Sequence, residues 1–458
     1  MTGMMGIAAR RDYERYGDVY MYKPNAVSIS SHADIRAVFG SPAFKKSSYY
    51  KQMDILETEN TYTARNHDLA MLKRKQLGPL LSSAHLLRIE PTLAQHGVLA
   101  IKRKWNTLIQ QSPTGMAEVN YKEAFVRSLF DTMGVLVLGQ TFEAMENDQD
   151  PRALWWPLSA SVYQIAATTV PLLRIPPFSL LLWPLKRQSD QFADYISTRV
   201  VERQQRSLRA GNGKSQRCTD ILQTLVDSDD TRTRGLHKIS AECMFVLSTA
   251  VLTMSNQLAW AVHALVLHPE HYSRAVAEVR SRFGRDDVVT YAEGRLQLPY
   301  LEACIYECLR AASIARGQWP RIVPEGGVTL SSGHYLPAGT EVNMNHSGAN
   351  LNRDVWQQPH EFDPGRFLGN DAAKRRLTAF SFGARPCMGR NLTMAEMTLM
   401  LGNLLKDFDF ALPPDYVHLG PRVLDDRGCP RLMPALHFII TAQLFPSRDC
   451  RLVVSRRI

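Results

Sequence analysis

The sequence has 458 residues, of which 45% are hydrophobic and 21% are charged, and its formal net charge is +10. This is the balance of a globular protein that is long enough to enclose a cofactor. The positive charge comes without a zinc finger or an aromatic RNA-binding signature, so we expect no nucleic-acid partner. The seven cysteines are irregularly spaced. Cys304 and Cys308 lie four residues apart but lack the second pair of ligands that a zinc site needs, so reduced thiols are favoured.

The N-terminal part of the chain shows no signal peptide and no membrane-spanning segment. Alternation over residues 18–40 predicts short strands followed by a helix from Ala33. Apolar residues at spacings of three and four predict helices over residues 87–111, 118–140 and 187–209.

The stretch from Pro171 to Pro184 is apolar but also contains Pro176 and Pro177, so we expect no regular helix there. Two interpretations of this stretch stay open. It could be a mobile hydrophobic flap that touches a membrane, or it could be a simple buried loop. Residues 210–217 predict a flexible break. Their Gly-Lys-Ser sequence lacks the earlier glycine and the preceding strand that a phosphate loop requires.

No charged residue occurs between Cys243 and Leu267, a length that could cross a bilayer. The many Ser, Thr, Asn, Gln and His side chains in this stretch instead predict a helix that is buried in protein. Residues 320–345 predict short strands joined by Gly and Pro turns, and the last long helix is predicted over residues 390–406. The predicted fold class is therefore mainly α with a small β subdomain.

The most informative segment is FSFGARPCMG, which ends at Gly389 just before the last predicted helix. Cys387 would precede the helix N-terminus, where the helix dipole favours a thiolate. Gly383 and Gly389 permit tight turns whose N–H groups can tune a metal-bound sulfur. Arg385 can pair with an anionic edge of a large cofactor, and Phe380 can shield the sulfur from water. A buried cysteine in a glycine-rich turn is the ordinary alternative for a lone cysteine, but the whole pattern favours a metal ligand.

This segment resembles the cysteine loop of the cytochrome P450 family, which reads Phe-x-x-Gly-x-Arg-x-Cys-x-Gly, and every fixed position is matched. The resemblance extends over nearly the whole chain. It implies a cytochrome P450-like fold, built as one domain over residues 1–458 around a buried haem b. It also implies that Cys387 is the axial thiolate of the haem iron, which favours O–O cleavage. Phe380, Gly383, Arg385 and Gly389 are implied to help bind the cofactor.

Five further residues have roles that the resemblance implies. Glu307 and Arg310 lie three apart, on one helix face, and Arg366 in FDPGRF stands where the family completes a buried Glu-Arg-Arg network. Arg321 and Arg74 are implied to bind the haem propionates. A surface ion pair is the ordinary alternative for Glu307 and Arg310, and solvated basic side chains are the alternative for Arg321 and Arg74.

The central helix departs from the family pattern where dioxygen would bind. The family's Ala-Gly-x-acid-Thr stretch falls on residues 249–253, TAVLT. Thr253 and Ala250 are the catalytic candidates, although Ala250 replaces the glycine and Leu252 replaces the acid. Thr253 can hold a water, and Asn256 could order another, but Leu252 cannot relay protons. A threonine bonded to its own helix backbone is the ordinary alternative for Thr253.

The activity implied by the resemblance is insertion of one oxygen atom from O2 into an apolar, medium-sized substrate, such as a terpenoid, steroid or polyketide, in secondary metabolism. Electrons would come from NADPH through a flavoprotein similar to NADPH-cytochrome P450 reductase. Basic residues predict a face for that acidic donor; they are Lys73, Arg74, Lys75, Lys374, Arg375, Arg376 and Arg390. The missing acid leaves two alternatives, a rearrangement or dehydration enzyme that needs no external electrons and a haem-binding sensor without turnover.

The spacing of Glu307 and Arg310 and the early segment of the chain resemble those of eukaryotic, fungal, microsomal-type members of the family. This implies a location on the cytosolic face of the endoplasmic reticulum membrane. The usual N-terminal anchor is not visible, so we expect either a truncated or a soluble form, with residues 171–184 as a further membrane contact.

Overall fold

The computed structural model describes residues 5–209, 220–437 and 440–457. Its α-helices in chain order are α1 (Met5–Tyr16), α2 (His32–Gly40), α3 (His67–Leu77), α4 (Ser83–His96), α5 (Val98–Gln111), α6 (Tyr121–Leu138), α7 (Arg152–Thr169), α8 (Ser179–Arg209), α9 (Ile221–Val226), α10 (Leu236–Leu267), α11 (Pro269–Arg282), α12 (Tyr291–Gln297), α13 (Pro299–Ala311), α14 (His346–Leu351), α15 (Asp371–Arg376), α16 (Arg390–Asp407) and α17 (Pro446–Asp449).

The strands are short and few beside these helices. They are β1 (Val19–Lys23), β2 (Ala26–Ile29), β3 (Lys45–Lys46), β4 (Met116–Asn120), β5 (Arg321–Ile322), β6 (Val328–Thr329), β7 (Tyr335–Leu336), β8 (Glu341–Met344), β9 (Phe408–Ala411), β10 (Ala435–His437), β11 (Thr441–Gln443) and β12 (Arg451–Arg456). The predicted class, mainly α with a small β part, is confirmed, as are the short strands after residue 320 and the last long helix.

Three expectations about helices are wrong in detail. The helix predicted over residues 87–111 is two helices, because Gly97 leaves the helical conformation with φ −87° and ψ −110°. The helix predicted from residue 118 begins at Tyr121, because residues 116–120 pair with β12 in a sheet. Helix α8 includes Pro184, which lies close to the start of a 31-residue helix where the proline ring displaces few backbone hydrogen bonds. The break predicted over residues 210–217, with its Gly-Lys-Ser sequence, lies outside the described residues.

The described chain divides into two compact units, and the single domain expected from the sequence stays a prediction. Unit 1 contains Met1–Lys45, Val98–Phe125 and Thr253–Ile458, and unit 2 contains Lys46–Gly97 and Val126–Leu252.

Unit 1 is organised around a sheet in which β1, β2, β8 and β5 are neighbours in that order. Strand β2 is parallel to β8, and the other two pairs are antiparallel. Their apolar side chains and those of α2 form one core, whose centre includes Ile29, Ile35, Val342 and Met344. Phe382 of the cysteine segment packs against this core. The core therefore holds one end of the cysteine segment in place.

Unit 2 is mainly helical, and its helices α7 and α8 pack against each other. Aromatic rings fill the space around Trp156, which stacks on Phe192 with ring centroids 5.2 Å apart. Phe130 and Phe142 stack at 4.0 Å in the same cluster. Such ring pairs contribute beyond the apolar area that they bury.

Helix α10 passes a length and hydropathy test for a membrane span, as the charge-free stretch suggested. However, 78% of its most apolar window is buried inside the protein. This agrees with the predicted core helix.

Helix α16 carries a carboxyl group in an unusual environment. Glu396 is fully buried, and within residues 5–209, 220–437 and 440–457 neither of its carboxyl oxygens has a hydrogen-bond partner. Burial raises the pKa of Glu396 to about 8. The unfolded chain would ionise this group near its ordinary pKa, so folding stability falls as the pH rises from about 4.5 to 8.

We predict that Glu396→Gln stabilises the protein more strongly at pH 8.5 than at pH 5. The amide has a similar shape and carries no charge, so it removes a cost on the order of a few kcal/mol that grows with pH. Thermal unfolding midpoints at both pH values measure the effect, with exposed Glu325→Gln as the control. A gain that is equal at the two pH values would contradict the argument.

Candidate active site

The segment around Cys387 is a tight loop with two left-handed turns. Ser381 and Gly383 have φ of +56° and +69°, and the Cys387 N–H donates to the Phe380 carbonyl at 2.7 Å. Gly389 caps α16, and a Cβ atom at this position would lie 3.8 Å from the Cys387 sulfur. The loop therefore presents the sulfur close to backbone groups at the start of a helix.

Cys387 differs from the other cysteines that the structure describes. It is exposed, whereas Cys429 is half-buried and Cys243, Cys304, Cys308 and Cys450 are buried. Burial raises the pKa of each of these four thiols, which keeps them protonated and inert. An accessible sulfur in a shaped loop is the arrangement that a metal ligand needs.

Gly383 touches the backbone at the end of α2. A Cβ atom at Gly383 would lie 2.4 Å from the Cα of Gly40 and 2.6 Å from the Phe39 carbonyl oxygen. The guanidinium of Arg321, a residue that is 6% exposed, lies 5.1 Å from the centroid of the Phe39 ring. The structure thus brings two predicted site residues, Arg321 and Gly383, to the same neighbour. Phe39 was not singled out from the sequence, because a contact between backbones leaves no motif.

Glu307, Arg310 and Arg366 meet in a buried charged network. Arg310 donates to both oxygens of Glu307 at 2.8 and 2.6 Å, and the Nε of Arg366 lies 3.4 Å from Glu307 Oε1. Both Glu307 and Arg310 are essentially unexposed. The Asp363 N–H also donates to Glu307, at 2.8 Å. Losing one charge of such a network would leave its partner buried and uncompensated.

A chain of hydrogen bonds links this network to the cysteine loop. Asn350 donates to the Arg310 carbonyl at 3.1 Å and accepts from the Thr378 hydroxyl at 3.0 Å. The Ser381 N–H then donates to the Thr378 carbonyl at 2.9 Å. From there the Phe380 carbonyl accepts from Cys387. The position of the sulfur is therefore coupled to Arg310.

The predicted basic face is wrong for one of its members. Lys73 is buried, and its ammonium donates to Glu242 at 2.7 Å inside unit 2, because its position on α3 turns it into the helical core. Glu242 also accepts from the backbone N–H of Thr61. Lys374 pairs with Glu302 at 2.6 Å, which offsets part of its charge. Three members from unit 1 are exposed, namely Arg375, Arg376 and Arg390.

Arg74, Ala250 and Leu252 belong to unit 2, and the cysteine loop belongs to unit 1. Arg74 is partly exposed beside the buried Lys73 on α3. Ala250, Leu252 and Thr253 are partly accessible on α10, although residues 254–265 of the same helix are buried. Four of the five residues aligned with the oxygen-binding motif are therefore partly accessible, whereas Val251 between them is buried.

A lysine that the sequence reading missed contacts α10 just beyond Thr253. Lys122, at the start of α6, donates to Ser255 Oγ at 2.8 Å and to Asn256 Oδ1 at 2.9 Å. Burial lowers the pKa of Lys122 to about 7, and the nearby Cys450 opposes this only in part. An ammonium with this pKa can gain and lose a proton near neutral pH. No local pattern marks Lys122, because its partners are about 130 residues away.

Comparisons with known proteins agree with this geometry. A family model described as "Cytochrome P450" matches residues 7–419. "Cytochrome P450 monooxygenase helB1" of Aspergillus fumigatus is 39% identical over 459 residues, which cover 100% of this chain and 78% of that protein. The helB3 and helB2 monooxygenases of the same organism are 34% and 35% identical, covering 100% and 98% of this chain and 90% and 89% of theirs.

The crystal structure of a cytochrome P450, CYP102L1, superposes with a TM-score of 0.78 and 17% identity. The match covers 99% of this chain and 94% of the other. The likeness confirms the predicted fold.

We predict that Gly383→Ala destabilises the protein far more than Gly369→Ala. Both glycines have φ near +66° to +69°, so alanine costs about 1–2 kcal/mol at either position. Only Gly383 lies against the α2 backbone, and the clash there adds about 1–3 kcal/mol or more. At Gly369, no atom of the described residues lies within 4 Å of a Cβ atom, apart from its own chain neighbours. Thermal unfolding and haem content of both variants measure the difference, and equal losses would contradict it.

Proposed function

Since this chain belongs to the cytochrome P450 family, we propose that it inserts one oxygen atom from O2 into an apolar, medium-sized substrate in fungal secondary metabolism. It is a cytochrome P450 monooxygenase and therefore an oxidoreductase. The observation that carries the proposal is the exposed Cys387 in a loop that Gly383 and Gly389 shape. A terpenoid, steroid or polyketide skeleton would suit such an enzyme.

The residues of unit 1 fit the haem that the family implies. Cys387 offers one accessible sulfur, and no cluster of three or more His, Cys, Asp or Glu in the described ranges could hold a metal by itself. A single protein ligand suits an iron whose other positions are filled by a porphyrin. When bound, thiolate-ligated haem supplies the activation of O2. Gly389 leaves room beside the sulfur, and Phe380 and Arg385 belong to the same loop.

Basic residues have two proposed roles around this site. Arg321 and Arg74 would bind haem propionates, because guanidinium groups pair well with carboxylates. The exposed Arg375, Arg376 and Arg390 would attract an acidic flavoprotein that resembles NADPH-cytochrome P450 reductase. Burial of Lys73 removes it from this surface.

Lys122 is our candidate for the proton supply that Leu252 cannot provide. Its amine bonds to Asn256, which lies one helical turn after Thr253 and so on nearly the same face of α10. The residue as a whole is partly exposed, and burial of its amine is what lowers the pKa towards neutral pH. Lys122 would hold a proton at its Nζ atom, Asn256 would fix that atom, and Thr253 would orient a water.

A second function has one observation in its favour. Leu252 is partly accessible on α10 where the family carries an acid. An enzyme that rearranges or dehydrates a peroxide substrate would need neither that acid nor external electrons. A haem-binding sensor without turnover is the third possibility.

Membrane association is proposed from the end of the connection between α7 and α8 together with the first turns of α8. Its apolar side chains are unusually exposed, including Leu180 at 68% and Leu181 at 71%. Ile175, Phe178 and Trp183 are also exposed. A contiguous patch of this kind typically contacts a membrane or a protein. We therefore propose the cytosolic face of the endoplasmic reticulum as the location.

We predict that the reduced, haem-loaded protein shows a red-shifted carbon monoxide band, and that Cys387→Ser loses this band. The shift would require a cysteine thiolate as a ligand of the haem iron, and Cys387 is the residue that would supply it. Product formation with a reductase and NADPH, compared with added organic peroxide, separates oxygen insertion from rearrangement. Turnover with peroxide alone would favour the rearrangement enzyme, and a thiolate band without turnover under either condition would favour the sensor.

We predict that Lys122→Met and Lys122→Arg both lower product formed per NADPH consumed and raise hydrogen peroxide release. Arginine keeps the positive charge but cannot release a proton near neutral pH. In the parent enzyme, coupling should decline as the pH rises above about 7, because the Lys122 amine then loses its proton. This step should be absent in Lys122→Arg. If Lys122→Arg coupled as well as the parent enzyme and showed the same decline above pH 7, the role of Lys122 would be contradicted.

A further inference from the structure

Three basic side chains converge inside unit 1, where α1 meets the β10–β11 hairpin. A Cβ atom at Gly6 would lie 2.8 Å from the ring of His437 and 3.0 Å from the Cβ of Arg316. Arg10 lies one turn after Gly6 on α1 and therefore on the same face. The absence of a side chain at Gly6 allows the helix to approach so closely that Arg10, Arg316 and His437 form one group, here called the basic cluster.

The basic cluster concentrates positive charge without enough acid to balance it. Burial and the charge of Arg10 lower the pKa of Arg316 to about 10. Burial, Arg316 and Arg10 lower the pKa of His437 to about 4, so this ring is neutral in the absence of an anion. Like charges that are partly removed from water repel each other more strongly than they would in solvent.

Hydrogen-bonding capacity also remains unused in the basic cluster. In the part of the chain that the structure describes, Arg316 forms no ion pair and donates to the Ala311 carbonyl at 2.6 Å. The Nε of Arg10 lies 3.9 Å from Glu14 Oε1, and among the described residues this buried atom has no hydrogen-bond partner. His437 is 6% exposed, and its Nδ1 is bonded to Thr441. An unpaired buried donor is costly, and a bound acceptor would remove that cost.

The basic cluster is connected to the helix that carries Thr253. The Ile314 carbonyl accepts from the N–H groups of Arg316 at 2.9 Å and Thr441 at 2.8 Å. The Ile314 N–H donates to Gln257 Oε1 at 3.3 Å. Gln257 lies four residues after Thr253, on the same face of α10. A short, hydrogen-bonded segment therefore runs from the turn beyond Thr253 to the basic cluster.

We propose that Arg10, Arg316 and His437 form a subsite for a carboxylate group on the substrate. The substrate would then be an apolar skeleton that carries an acid group, instead of a neutral hydrocarbon or alcohol. Guanidinium groups match the two oxygens of a carboxylate, and the group would offset the repulsion between the arginines. The inference rests on the proposed monooxygenase function and narrows its substrate class.

Matched pairs of neutral and acidic probes test the subsite with haem-loaded enzyme. Equilibrium dialysis measures binding of cyclohexanecarboxylic, dodecanoic and abietic acids, each beside its primary amide, at one ionic strength. We expect at least one acid to bind about tenfold or more tightly than its amide. In Arg316→Gln and in Arg10→Gln the ratio of the affinity for the acid to that for its amide should fall towards one. Arg15→Gln, an exposed control on the same helix as Arg10, should keep the ratio of the parent enzyme.

Stability separates a binding role from a structural one. Arg10→Gln should raise the thermal midpoint of the enzyme without ligand, because it relieves like-charge repulsion, while a structural role for Arg10 would lower it. Acids that bind no better than their amides, or fail to bind at all, would overturn the subsite. Haem loss from Arg316→Gln with an unchanged acid preference would also overturn it, because the cluster would then serve the haem. The carbon monoxide band of the same samples reports separately on the monooxygenase proposal.

Discussion

The ion pair between Glu307 and Arg310 is the interaction on which the part of unit 1 next to the cysteine loop depends. Arg310 donates to the backbone carbonyls of Asn350, Pro359 and Glu361 as well as to Glu307. One guanidinium therefore forms hydrogen bonds to several irregular stretches of the chain. A segment with so little regular structure has few backbone hydrogen bonds of its own. It keeps its shape because a buried charge cannot be left without partners. The hydrogen-bond chain through Asn350 and Thr378 extends this order to the cysteine loop.

The elements that follow from local pattern could be predicted from the sequence. The cysteine loop depends on the spacing of Gly383, Cys387 and Gly389. The structure has the predicted tight turn at Gly383, whereas Gly389 has an ordinary negative φ of −79° at the start of α16. The charge-free helix and the short strands after residue 320 also follow from composition and spacing. The boundaries at Gly97 and Tyr121 did not, because a strand at residues 116–120 exists only through its pairing with β12, more than 300 residues away.

The environments of individual charged side chains could not be predicted from the sequence. Lys73, Lys122 and Arg316 are all basic residues in ordinary sequence contexts, yet each is placed differently by distant partners. Lys73 meets Glu242 in a core, Lys122 meets the polar side of α10, and Arg316 meets a second arginine. Counting basic residues in the sequence therefore overestimated the positive charge of the face proposed to bind an electron donor. These distant partners, which the sequence does not reveal, determine the charge and the pKa of the side chains in the interior.

The contact between Gly383 and α2 shows that the ten-residue signature is only half of a structural requirement. The partner at residues 39–40 contributes backbone atoms, so any residue type could occupy those positions without being noticed in a motif search. Indeed, a Cβ atom at Gly40 would meet nothing within 4 Å. Grafting the loop onto another scaffold would thus fail unless the host also supplied a helix end at the same separation. Transferring this cysteine loop to another protein therefore requires copying two chain segments, and one of them has no sequence motif that would identify it.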